Sequence, residues 1–544
     1  MNILESKINE LLSYIENDSN LTDRVFISMG SSHTKAKVLL IKKSKSLLKN
    51  ILKNCQNFKR KHLSYPTWIK IDIVTDETVL PFTDIKHKLL NTRRNYVDFG
   101  ISFDKYWYLS FLPEEINSNA FIRPSKDKKR FILSENNINN YLRKYTSYKK
   151  KFRAKDFDKR DVIQFHTESY ILDDSNIIKL EKNGSHKQPL RKIEDLHAEI
   201  DSMIDKGVHF LKDMLEDSGK YIYGYFPHFD KKINFYNILR HSSSSYALIE
   251  GLTYIDEDIS FMKKAIDYVI DNHIISTDDV SYVFDNTNNI NEIKLGQNAS
   301  FIFMVCEYLK AYPDDINYLK IAQNVARGIL SMIDIETGNT THVLNYPSLT
   351  VKESFRIVYY DGEAALALLR LYKIDNNENW LNTVQKLFEH FINEKYWRYH
   401  DHWLAYCTNE LSQIIPSERY YKFGILNAST HLKYIKDRET TYPTFLEMLV
   451  ATYRLIQNAK ENGYHDLVSS LIDEDELVDT IHNRADYQRT GHFYPEYAMY
   501  FKLPHRILGS FFIKHHGYRV RIDDIEHYIS GYIQYQKEFK NKSS

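Results

Sequence analysis

From about Leu196 to the end of the chain, apolar residues recur at helical spacing, and the helices they predict are of two kinds. One kind carries a single stripe. In NWLNTVQKLFEHFI, Trp380, Leu381, Val384, Leu387, Phe388, Phe391 and Ile392 share one face with polar residues opposite, as in a helix with one side in water. FMKKAIDYVI (261–270) and YLKIAQNVARGIL (318–330) read the same way. The other kind is apolar nearly all round: SFIFMVCEYL (300–309), EAALALLRLY (363–372), HWLAYCTNEL (402–411), TFLEMLVATYRLI (444–456) and RILGSFFI (506–513). A helix hydrophobic on every face is enclosed by protein.

Alternation of one-sided and all-sided helices is what two concentric rings require. The expected outer and inner partners are 194–215 with 237–253, 257–274 with 295–311, 315–333 with 358–373, 377–394 with 400–414, 417–437 with 443–460, and 465–487 with 503–517. A last helix, 522–537, closes the ring. The spacing of these hairpins is irregular, which separates them from a fixed-period helical array.

The first 185 or so residues have another character. After an amphipathic helix in MNILESKINELLSYIENDSN, RVFISMGSS and AKVLLIKK read as two strands around a turn, SKSLLKNILKNCQNF as a helix, and WIKIDIVTD as an alternating strand. YVDFGISFDKYWYLSFL reads as a hairpin around Phe103-Asp104-Lys105. LEKNGSHKQP (180–189) is the expected linker. The fold class is therefore mainly α: an α+β domain over 1–185, with the accessory role, then an (α/α)6 toroid over 190–540.

Composition narrows the function. The chain holds 73 Lys plus Arg against 72 Asp plus Glu, so no global field draws it to nucleic acid or an acidic membrane. The basic stretch Arg123–Arg160 is a local exception. It reads first as a solvated face or linker and second as a contact for a protein partner. Only 17 Gly and 12 Pro in 544 residues argue against a turn-rich all-β protein or a glycine-rich nucleotide fold. Cys55, Cys306 and Cys407 are too few and too scattered for a disulfide framework or a zinc pattern. The amino-terminal segment has no apolar run of a secretion signal, and no window is long enough to span a bilayer. A cytoplasmic location is the resulting expectation. Tyrosine is abundant, but most of the rings are expected to be packing residues.

The starts of the expected inner helices form a set: NILRHSSSSYAL, KLGQNAS, YYDGEA, RYHDHW, TTYPTFLE and KLPHRILG. Each is polar, aromatic or ionisable and each turns apolar downstream. The arrangement resembles the six-hairpin, (α/α)6-toroid carbohydrate enzymes: the N-acylglucosamine 2-epimerase family, unsaturated glucuronyl hydrolases and glucuronyl C5-epimerase-like domains. The resemblance covers roughly the last 350 residues and rests on architecture. It implies a pocket where the inner helices begin, which their N-termini make favourable to anions. It also implies a carbohydrate substrate.

On that reading His241, Asp361, Glu363, His402 and His505 are the candidates for acid–base work. Arg240 and Arg506 would hold an anion, Tyr360 and Trp403 would face the sugar, and Gln297 and Tyr442 would bind substrate. A bland alternative stands beside each: the carboxylates as helix caps, His241 as a hydrogen-bonded core histidine, His402 and Trp403 as packing. His400-Asp401-His402 lacks a third ligand at recognised spacing, so neither metal nor cofactor is expected.

Asp361 and Glu363 are two residues apart and diverge on a helix, so a hydrolase pair needs a carboxylate from another hairpin, such as Asp401, Glu447 or Glu496. Histidines on opposing walls suit epimerase or lyase chemistry slightly better. A non-catalytic glycan-binding scaffold is the reading from another class. Oligomeric state has no signal in the sequence.

Overall fold

The computed structural model describes residues 2–18, 23–42, 47–91, 95–126, 129–182 and 189–540. The chain forms two compact units. The first comprises Met1–Glu194, Tyr225–Lys232 and Arg489–Val520, and the second comprises Asp195–Gly224, Ile233–Gln488 and Arg521–Ser544. The division is thus not one cut near residue 190, because the chain returns to the first unit twice. Of the expected linker 180–189, residues 183–188 lie outside those described.

The first unit is α+β. Its sheet contains β1 (Arg24–Ser31), β2 (Thr34–Lys42), β3 (Trp68–Pro81), β4 (Asp161–Asp173), β5 (Asn176–Glu181) and β6 (Leu190–Arg191), ordered β6-β5-β4-β3-β1-β2 with antiparallel pairing. Helices α1 (Asn2–Asp18) and α2 (Leu47–His62) cover one face. Ile8, Leu11 and Ile15 of α1, at helical spacing, join Ile51, Cys55 and Phe58 of α2 on Val25, Ile27, Ile69, Ile71 and Ile73. The basic stretch is folded: the helix Glu135–Tyr145 sinks Ile138, Tyr141 and Leu142 into a core and turns Arg143 and Lys144 outward. Residues 127–128 of that stretch are not described.

The second unit is a helical toroid. Its inner helices are α4 (Ile238–Tyr254), α6 (Leu295–Ala311), α8 (Tyr359–Asp375), α10 (His402–Ile414), α12 (Thr444–Glu461) and α14 (Ile522–Phe539). Its outer helices are α3 (Leu196–Asp213), α5 (Lys263–His273), α7 (Ile316–Ser331), α9 (Glu378–Asn393), α11 (Glu418–Ser429) and α13 (Glu474–Tyr487). Each inner helix packs on the next, and α14 packs back on α4, closing the ring. In α8, Leu366, Leu368, Leu369 and Leu371 are wholly buried. At about 1.5–3 kcal/mol for each leucine withdrawn from water, this stretch alone strongly favours enclosure.

Five expected hairpins are present, and the sixth is corrected. Residues 503–517 are not its inner helix. They hold short 3-10 turns at Pro504–Arg506 and Lys514–His516 and belong to the first unit, where Phe511 and Phe512 are buried. An apolar run records burial and does not fix backbone conformation. The true sixth inner helix is α14, expected only as a closing piece. Its polar stripe is buried: Ser530 and Gln534 donate to Glu250 of the adjacent α4, at 3.0 and 2.6 Å. A polar face turned to the ring interior imitates one turned to water.

The connections into α6 and α8 also build an unexpected antiparallel sheet of β7 (Ile274–Thr277), β8 (Val280–Asp285), β9 (Glu292–Lys294), β10 (Val343–Asn345) and β11 (Val351–Glu353). Among the described residues no helix is long and apolar enough to cross a membrane. The three cysteines are buried thiols without disulfide partners.

Candidate active site at the inner-helix N-termini

The first two turns of α8, α10, α12 and α14 gather a largely buried ionisable cluster. Helix α10 begins at a conventional cap: Asp401 accepts from the backbone N–H groups of Trp403 and Leu404, at 3.1 and 3.2 Å. Burial nevertheless raises the Asp401 carboxyl to about 8. His402 follows, with Nδ1 3.4 Å from Asp401 Oδ1 and a buried Nε2 that has no hydrogen-bond partner. Burial lowers its pKa to about 3, so the imidazole is neutral. Its ring lies 5.2 Å from that of His527 on α14, at 83°.

His527 is the opposite case. Its Nδ1 is 3.0 Å from Glu447 Oε2, and the carboxylates of Glu447 and Glu526 lift its pKa to about 10 against the cost of burial. Glu447, on the first turn of α12, also accepts from Tyr406 at 3.2 Å. Glu526 accepts from Ser243 at 2.6 Å and is raised to about 7, first by burial. The site therefore sets a neutral imidazole beside an imidazolium. Pairs whose environments separate their pKa values divide naturally into base and acid.

Asp361 and Glu363 do different work. Asp361 Oδ1 accepts from Thr340 at 2.5 Å and lies 3.2 Å from His342 Nε2. His342 Nδ1 accepts from the backbone N–H of Arg356 at 3.0 Å, so its Nε2 carries the proton donated to Asp361. Arg356 is fixed by a fork to Glu292, both bonds 2.8 Å, and by Glu353 at 2.7 Å. Its guanidinium, ahead of burial, holds Glu292 down at about 2.

Glu363 is pushed well above the usual carboxylate range, by burial first and then by Asp401 and Glu526. Close packing explains Gly362: a Cβ there would stand 2.4 Å from Asp401 Oδ2 and 3.0 Å from the Leu404 nitrogen. Glycine lets α8 and α10 approach at the level of the acids.

The remaining candidates divide. Arg240 is on the first turn of α4 but committed, with Nη1 donating to Tyr223 at 2.9 Å and Nε 2.8 Å from Asp523. Trp403 is buried and stacks on Phe303 at 5.1 Å, and Tyr360 is buried too. Two more rings lie beside His402: Trp403 at 4.7 Å, and Tyr359, edge-on at 5.9 Å and 41% exposed. Gln297 donates to the Val283 carbonyl at 2.6 Å. Tyr442 is exposed in the turn before α12.

His241 faces the outer ring. Its Nδ1 meets the Tyr236 hydroxyl at 2.8 Å, and its Nε2 donates to the Ala265 carbonyl at 2.9 Å. Burial lowers it to about 4. It is placed as a satisfied core histidine. His505 and Arg506 are corrected in position: both lie in the first unit, His505 against the His33 ring at 4.7 Å and Arg506 paired with Asp230 at 2.5 Å.

The sequence reading missed His527, Glu526 and His342. A signal for the first two was present. Asp523, Glu526, His527, Ser530 and Gln534 recur at helical spacing on one stripe of α14. His342 sits in an irregular connection with no periodicity to mark it.

His402, Glu447 and His527 also form a two-histidine, one-carboxylate set whose ligand atoms all lie within 4.8 Å of one another, a donor combination known to hold divalent cations. In the arrangement present Glu447 is engaged by His527 and Tyr406, as an orienting carboxylate would be.

No family model matches this chain, and no curated protein does. Among solved structures it is similar to a D-mannose isomerase (10% identity, 64% of this chain and 100% of that one, TM-score 0.47). It is also similar to cellobiose 2-epimerase from Bacillus thermoamylovorans B4167 (11%, 63% and 100%, 0.48). A third is the GH76 α-mannanase BT2949 from Bacteroides thetaiotaomicron (12%, 64% and 98%, 0.45). These are (α/α)6-toroid carbohydrate-active enzymes. By its own closed ring of six inner helices inside six outer ones, the second unit of this chain is an (α/α)6 toroid.

Proposed function

We propose that the protein is a carbohydrate-active enzyme that moves a proton at a carbon beside a sugar carbonyl or carboxylate, as an epimerase, isomerase or lyase does. One observation carries this reading: a neutral His402 and a protonated His527 face one another from two inner helices, with Glu447 bonded to the second. His402 Nε2, buried and unpartnered, is the base that takes the proton. His527 is the acid that returns one or protonates the carbonyl oxygen. Glu447 orients His527 and keeps it charged, and Glu363, whose carboxyl burial drives toward its protonated form, donates a hydrogen bond to the developing oxyanion. The sugar isomerase and epimerases among the similar structures agree with this chemistry.

The test is incorporation of solvent deuterium into N-acyl sugars, aldoses, cellobiose and uronic acids, by the wild type and by His402→Ala and His527→Ala. Exchange by the wild type and its loss in both variants is the expected result. Release of reducing ends without exchange overturns the proposal in favour of hydrolysis.

A further inference from the structure

Six aromatic side chains of the second unit are exposed among its described residues: Phe235, Phe355, Tyr359, Tyr399, Tyr434 and Tyr442. All six sit on the same end of the toroid. Phe235 immediately precedes α4, Phe355 and Tyr359 lead into α8, Tyr399 leads into α10, and Tyr434 and Tyr442 lead into α12. The connections at the opposite end, from inner to outer helices, expose none.

Two of these rings, Phe355 and Tyr399, line an open groove of about 700 Å³ together with Tyr396. The rest of its lining is hydrogen-bonding, including Asn339, Asn393 and Arg398. The groove reaches the head of α8 through Phe355, whose ring lies 4.7 Å from that of His342, the donor to Asp361. Rings that offer an apolar face among amides and charged groups suit a ligand with apolar C–H faces and a hydroxyl rim, which is a sugar ring. Several such rings spread across one end exceed what a single sugar covers.

We infer that this enzyme takes an oligosaccharide or polysaccharide, threading the sugars beyond the reacting one along the Phe355–Tyr399 groove. The inference rests on the site being carbohydrate-active. It is tested by affinity electrophoresis and by deuterium exchange, using α-1,6-linked manno-oligosaccharides, cello-oligosaccharides and heparosan oligosaccharides of increasing length. The variants are Phe355→Ala and Tyr399→Ala, with Phe355→Leu and Tyr399→Phe as conservative partners.

The expected result is retention that strengthens on the order of tenfold between one sugar and four in at least one series. The alanine variants flatten that gain, and Tyr399→Phe restores it. Exchange on single sugars with no gain from added length overturns the inference and leaves the proposed chemistry standing. A length-dependent gain in binding without exchange in any series upholds the inference and overturns the chemistry. No retention of any series at any length overturns the inference.

Discussion

The rings of His402 and His527 stand 5.2 Å apart and nearly perpendicular, on helices separated in the ring by α12, which supplies Glu447 between them. Burial disfavours the charged form of both, and the two end in opposite states because one has a carboxylate bonded to it. Without a partner, a buried imidazole loses its proton; with Glu447 at 3.0 Å, it keeps one.

Glu447→Gln is expected to lower the pH at which activity is lost on the alkaline side. In the wild type the reaction needs neutral His402, at about 3, and protonated His527, at about 10, so kcat/KM is flat across the neutral range. Removing the carboxylate lowers His527 by about one unit or more, the scale of a neighbouring opposite charge. The alkaline limb then moves toward neutrality, while the acid limb, set by His402 that Glu447 also supports, moves to still lower pH. A pH profile of deuterium exchange measures it, and an unmoved alkaline limb contradicts the assignment.

Asp401→Asn is expected to flatten the dependence of stability on pH. Asp401 titrates near 3.8 unfolded and about 8 folded. Its raised pKa gives stability that is fully present below the unfolded value and lost as pH rises through the folded one. Asparagine caps a helix about as well as aspartate and carries no charge to bury. Melting temperatures between pH 5 and 9 should fall in the wild type and fall less in the variant.

Gly362→Ala is expected to destabilise the toroid by about 1–3 kcal/mol, the usual cost of overpacking. The added Cβ would meet Asp401 Oδ2 at 2.4 Å and the Leu404 nitrogen at 3.0 Å. Chemical denaturation reads the loss. A variant as stable as the wild type shows that α8 and α10 are not held at this separation.

His241→Phe separates structure from chemistry. It breaks hydrogen bonds to Tyr236 and Ala265 and leaves a buried hydroxyl and carbonyl short of partners, at about 1–3 kcal/mol each. Lower stability with unchanged exchange per folded molecule is expected. Loss of exchange in fully folded protein returns His241 to the catalytic set.

The helical character of the second unit, the identity of five hairpins and the polar heads of the inner helices are all written in local periodicity. One-sided and all-sided burial leave different patterns, as α9 and α8 show. Asp361, Glu363 and His402 were legible for the same reason, since each is an ionisable residue at the head of an apolar run.

Tertiary structure decided the rest. A buried polar stripe on α14 looks like a solvated one until the ring closes around it, so His527 and Glu526 were hidden within an ordinary amphipathic pattern. RILGSFFI looks like a helix because burial on all sides is common to helices and to irregular segments inside a core. The protonation states came last of all. They depend on distances between residues 45 to 125 positions apart in sequence: His402 to Glu447 to His527. Local pattern names the elements, while only the closed ring fixes which charges share a confined space and therefore which histidine holds a proton.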